Sequence, residues 1–140
     1  MKIVLDSNVL LAALLTKGLT YDVFEYCYDC HEIYLSEWII DEVAGKLREK
    51  FEMPEAKLVE SINFIKRGAK VINPDGELPA VCRDKDDNNV LHVGSFIEAD
   101  YIITGDKDLL VLSNYGDVRI INPRDFWIKI KQQERGVNRS

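Results

Sequence analysis

Acidic side chains at four places along the chain are the residues best able to do chemistry. Asp6 ends the apolar run Lys2 to Leu5 and precedes Val9 to Leu15, which are apolar on every side. Glu42 falls about a turn and a half into a helical stretch, Asp87 stands within RDKDDNNVL, and Asp106 belongs to the polar turn GDKD, with Asp84, Asp86 and Asp108 nearby. Two carboxylates about 4 Å apart repel by roughly 4 kcal/mol at an effective dielectric of about 20. Three or four that converge therefore stay ionised only beside cations. Oxygen ligands without a paired-histidine motif favour Mg²⁺ or Mn²⁺. Such an ion keeps some of its waters and takes up phosphate, which suits phosphodiester hydrolysis. Each acid also has a plain structural use: Asp6, Asp87 and Asp106 are good helix N-caps, and Glu42 is spaced i,i+4 from Lys46. Capping alone does not account for several acids at one edge of a sheet.

The elements that must position these acids follow from the patterning. Strands are expected at Lys2 to Leu5, Ile33 to Leu35, Lys70 to Ile72, Tyr101 to Thr104 and Val118 to Ile121. Helices fill the intervals: the apolar one after Asp6, Thr20 to Asp29, Glu37 to about Lys50 behind Ser36, one opened by Pro54, Asn89 to Glu98, a short one through Leu112, and one opened by Pro123. Asn73 to Asn88, with Pro74, Gly76 and Pro79, is expected to be a long loop, and such loops tend to carry function. Alternating strand and helix predicts an α/β fold, a three-layer α/β/α sandwich around a central parallel sheet. Right-handed crossovers then bring the strand-to-helix turns holding Asp6 and Asp106 to one sheet edge. One domain over residues 1–131 is expected, with 132–140 as a polar, frayed tail.

Composition narrows the classes. With 46% apolar and 30% charged residues the chain reads as a folded globular protein. No apolar run is long enough to span a bilayer and no signal-peptide pattern opens the chain, so no membrane partner and a cytoplasmic location are expected. The formal net charge of -6 argues against a general nucleic-acid coat. The charge is unevenly spread, however. Asp6 to Glu42 holds eight acids and only Lys17, and Asp75 to Asp108 holds nine acids against Arg83, Lys85 and Lys107. The segment Lys46 to Lys70 and the tail are basic. Acidic segments flanked by basic ones suit a metal site that receives a polyanion. Cys27-Tyr28-Asp29-Cys30-His31 matches the haem-attachment pattern. Zinc would need two more ligands, and only Cys82 and His92 remain, so these thiols are read as small residues closing a helix.

The order KIVLDSNVLLAAL, an acid in SEWIIDEV, then DKDDNNVLHVGSFIEADYIITGDKDLL resembles the PIN-domain nucleases, in the branch of VapC-like toxins of type II toxin-antitoxin pairs. The resemblance runs from Lys2 to about Phe126 and is most specific from Asp87 to Leu110. It implies four catalytic, metal-holding acids at Asp6, Glu42, Asp87 and Asp106, with Glu42 binding metal or positioning water. Asn8, Asp84, Thr104 and Asp108 fall on accessory positions, and Asp86 stands beside Asp87 as the other register for the third acid. Where this branch often has proline in its acidic loop, this chain has Lys85. Arg83, Lys85 and Lys107 either contact substrate phosphate or relieve the acids. The family implies Mg²⁺- or Mn²⁺-dependent cleavage of single-stranded RNA by in-line attack of metal-bound water, a cognate antitoxin as partner, and a homodimer. Two other readings compete. A PIN-like binding module has no reason to keep clustered charge, and an aspartyl phosphotransferase wants an aspartate where Asn8 stands.

Overall fold

The computed structural model describes residues 1–138. Its first strand, β1 (Lys2–Leu5), buries Ile3, Val4 and Leu5 completely, as a strand covered on both faces requires. The chain continues through α1 (Ser7–Leu15), α2 (Leu19–Cys30), β2 (Glu32–Leu35), α3 (Glu37–Glu49), α4 (Glu55–Arg67) and β3 (Ala69–Val71). The second half comprises α5 (Lys85–Phe96), β4 (Tyr101–Ile103), α6 (Lys107–Leu110), β5 (Asn114–Tyr115), β6 (Val118–Ile121) and α7 (Pro123–Asn138). The strands form one sheet in the order β3-β2-β1-β4-β6-β5. All pairings are parallel except that of β5 with β6.

The chain steps from β1 through β2 to β3 in one direction, then returns past β1 to β4 and β6 in the other. With right-handed crossovers this reversal puts α1 to α4 on one face and α5 and α6 on the other, a three-layer α/β/α sandwich. It also leaves a switch point between β1 and β4, where the loops leaving the carboxyl ends of two neighbouring strands diverge and a crevice opens. In α1, Val9, Leu10, Leu11 and Ala13 are buried, in keeping with its all-round apolar sequence.

Three elements differ from the sequence expectation. The sheet is not wholly parallel: β5 adds an antiparallel edge strand through a turn at Gly116 (φ 61°), where Asn114 Nδ2 donates to the Gly116 carbonyl. Two residues are too few for a periodicity to show. Helix α5 begins at Lys85 rather than near Asn89, because Asp84 caps it, accepting from Asp86 N at 2.9 Å. Helix α7 continues to Asn138, past Gln132 where the sequence suggests fraying; residues 139 and 140 lie outside the described residues. Among the described residues no helix is long and apolar enough to cross a membrane.

Helix α5 lies close on the sheet because Gly94 faces Ile102 of β4. A Cβ at Gly94 would stand 2.7 Å from Ile102 Cδ1, and Ile102 is fully buried. The close approach sets the height of α5 and of its first turn. Gly94→Val is expected to cost about 1–3 kcal/mol of stability by overpacking, read from the denaturation midpoint. An unchanged midpoint would show the contact to be slack.

Candidate active site

The site starts from an extension of the β1–β4 ladder. Asp6 N donates to the Ile103 carbonyl at 3.0 Å, one residue beyond β1, and so fixes where the carboxylate begins. Asp6 Oδ1 accepts from Ser7 N at 2.7 Å, and Oδ2 accepts from the Thr104 hydroxyl at 2.7 Å. Thr104 is fully buried, and its own N donates to the Ile121 carbonyl of β6 at 3.0 Å. Its Oγ1 also accepts from Asp106 N at 3.0 Å. One buried hydroxyl thus connects the turn after β1 to the turn after β4. Burial pushes the Asp6 pKa up, the Glu42 and Asp106 charges push the same way, and the bonds from Thr104 and Ser7 pull it down.

The second group of acids comes from the ends of α5 and α6. Asp87 is in the first turn of α5, only 6% exposed, whereas Asp86 beside it is exposed. Asp87 is therefore the inward acid of the pair. Asp106 caps α6, accepting from Asp108 N at 2.8 Å and Leu109 N at 3.4 Å. One carboxylate oxygen each from Asp87, Asp106 and Asp108 lies within 4.8 Å of the others. Asp87 Oδ2 is buried with no hydrogen-bond donor. Burial first, then the charges of Asp106, Asp84, Asp6 and Asp108, raise the Asp87 pKa to about 7. A hard divalent cation with oxygen ligands fits this set: three converging carboxylates, one with a buried oxygen that no donor serves.

Glu42 stands apart from that trio. Its Oε1 accepts from the Ser7 hydroxyl in a short bond and from Lys46 Nζ at 3.3 Å. Lys46 Nζ donates as well to Asn8 Oδ1 at 3.1 Å. Ser7, almost fully buried, also lies 3.5 Å from Asp6 Oδ1 and so connects the two acids. Of the expected substrate contacts, Arg83 pairs with Asp108 at 3.6 Å. Lys85 and Lys107 are exposed, and neither forms an ion pair among the described residues.

Ser7, Lys46 and Asn88 are members of the site's framework that the sequence does not single out: Lys46 reads there as the i,i+4 partner of Glu42 and Asn88 as the end of a loop. Asn88 is buried, and its side chain holds the approaching loop through Val81 N, Cys82 N and the Cys82 carbonyl at 2.9–3.2 Å. The signal for Ser7 is its place directly after Asp6 at the first position of α1; the bridge from Lys46 to Asn8 joins residues 38 apart and leaves no sequence signal.

A family model described as the PIN domain matches residues 2–108. The chain belongs to the PIN-domain family. Among solved structures, this PIN domain is similar to VapBC2 from Rickettsia felis, determined bound to a DNA fragment from its promoter. That likeness has a TM-score of 0.64 at 11% identity and covers 87% of this chain and 98% of the other. PAE2754 from Pyrobaculum aerophilum is similar at a TM-score of 0.63 and 16% identity, covering 94% of this chain and 90% of that one. A sequence search of curated proteins finds no match. In this PIN domain the sequence-predicted acids Asp6, Asp87 and Asp106, with Thr104, come together at the β1–β4 switch point, Asp108 joins the trio, and Glu42 and Asn8 meet at Lys46. Asp84 serves as the cap of α5.

The raised pKa of Asp87 has a consequence for stability. An acid whose folded pKa lies above its unfolded value takes up a proton on folding, so stability falls as pH rises from about 4 to about 7. In protein stripped of metal by EDTA, Asp87→Asn is expected to raise stability at pH 8 by on the order of 1–2 kcal/mol and to change little at pH 4. Thermal melts at the two pH values check this, and equal effects at both would contradict a protonated Asp87.

Proposed function

We propose that this PIN domain is a metal-dependent endoribonuclease that cleaves single-stranded RNA, acting as the toxin of a toxin-antitoxin pair. The observation that carries the nuclease reading is the convergence of the Asp87, Asp106 and Asp108 carboxylates at the switch point, with one buried Asp87 oxygen that no donor serves. When bound there, Mg²⁺ or Mn²⁺ would supply neutralising charge for the phosphodiester and make a bound water more acidic than bulk water. The chain's own residues do the positioning. Asp87, Asp106 and Asp108 would hold the ion, with Asp6 as the neighbouring acid. Thr104 and Ser7 N hold Asp6 at a fixed rotamer, so that it need not reorient when charge develops. Glu42, tied to Asp6 through Ser7, stands in place to orient the attacking water for in-line displacement. Lys85 and Lys107, exposed beside the acids, offer charge to flanking phosphates.

The partner reading rests on the likeness to VapBC2 of Rickettsia felis and on the sequence resemblance to VapC-like toxins. Both favour a cognate antitoxin for this chain, and the homodimer follows from the sequence resemblance alone.

Purified protein incubated with a panel of single-stranded RNAs in Mn²⁺, in Mg²⁺ and in EDTA tests the reaction. Cleavage with either metal, none in EDTA, and loss of about three orders of magnitude in Asp6→Asn are the expected results. Equal thermal stability of both proteins with and without Mn²⁺, together with no cleavage, would instead favour a PIN-like binding module.

A further inference from the structure

The acids of the site divide into two ends that differ in what neutralises them. At one end Asp87, Asp106 and Asp108 converge, and Asp87 Oδ2 is buried without a donor. At the other end Glu42 Oε1 is already served twice, by the Ser7 hydroxyl and by Lys46 Nζ at 3.3 Å. The cation there belongs to the chain. Lys46 lies one turn beyond Glu42 on α3, so the helix itself sets their separation. Its ammonium is held from a second side by Asn8 Oδ1 at 3.1 Å, which restricts it to the mouth of the site. The Glu42 side chain is only 17% exposed and that of Lys46 37%, so the pair is shielded at its carboxylate and reaches solvent at its ammonium.

We propose that Lys46 is the resident cation of the Glu42 end, so that the protein takes up a single divalent ion, at Asp87, Asp106 and Asp108, and not a pair. The inference rests on the metal-dependent reading above and goes beyond it by setting the number of ions and the role of Glu42. A metal on Glu42 would have to use Oε2 while the ammonium stays on Oε1 of the same carboxylate, and two cations on one partly shielded carboxylate repel each other. Lys46 is thereby a positioning residue. It supplies the counter-charge, holds Glu42 toward Ser7 and Asp6, and holds Asn8 beside them.

Calorimetric titration of the full chain with Mn²⁺ counts the ions without reference to activity. Wild-type protein and Lys46→Arg, which keeps the charge, are expected to bind one equivalent. Lys46→Met is expected to gain a second, weaker equivalent, with the paired ions broadening the Mn²⁺ paramagnetic resonance signal. Glu42→Gln is expected to hold its ion within about threefold of wild type; a fall of about tenfold or more, the loss expected of a ligand, would overturn the proposal. So would two equivalents in wild type, or a folded Lys46→Met that still binds one. No uptake by wild type at all would sink the metal-dependent reading itself, an outcome distinct from a wrong count.

Discussion

Mutual repulsion among carboxylates at the carboxyl edge of the sheet is the constraint around which this molecule is built. Asp6 and Asp87 are nearly buried, Asp106 and Asp108 lie against Asp87, and Glu42 is mostly shielded. Such a concentration of like charge costs stability unless something opposes it. The structure opposes it unevenly. Asp6 receives two hydrogen bonds and Glu42 an ammonium, while Asp87 receives neither and is driven toward the protonated form. A site optimised for stability alone would not leave a nearly buried acid without a donor.

The fold holds these groups by economical means. Asp6 and Asp106 are helix caps and site acids at once, each with one oxygen committed to backbone N–H groups. This double use fixes their rotamers without extra residues. Thr104 ties the two turns together from a fully buried position, and Asn88 fastens the incoming loop next to Asp87. The close contact of Gly94 with Ile102 sets α5 low on the sheet, and Asp87 is carried on the turn that begins that helix. Strand ends and helix starts therefore deliver Asp6, Asp87 and Asp106 to the crevice.

Basic groups enter this acidic site in two ways. Lys46 comes from within, locked between Glu42 and Asn8. Lys85 and Lys107 are exposed at the first positions of α5 and α6, and Arg83, almost wholly exposed, reaches Asp108 across 3.6 Å. Exposed pairs of this kind contribute little to stability, so Arg83 is free to exchange its carboxylate for another anion.

The sequence by itself determined the α/β layering, the apolar centre strand and the acids that follow β1 and β4. Apolar periodicity and strand-ending aspartates are local properties, and local properties are what a sequence displays directly. It also indicated Asp87, although the register against Asp86 depended on where α5 starts, and a capping side chain at Asp84 moved that start by four residues relative to the apolar pattern. The antiparallel β5 is too short to leave a period, and α7 extends on helix-compatible polar residues that read as a tail. Only the tertiary structure decided which donor serves which acid. Ser7 to Glu42, Lys46 to Asn8 and Thr104 to Asp6 join residues 35, 38 and 98 positions apart. Such pairings depend on strand order and helix height, which no spacing along the chain encodes. The division of the acids into a compensated and an uncompensated end is therefore a property of the fold.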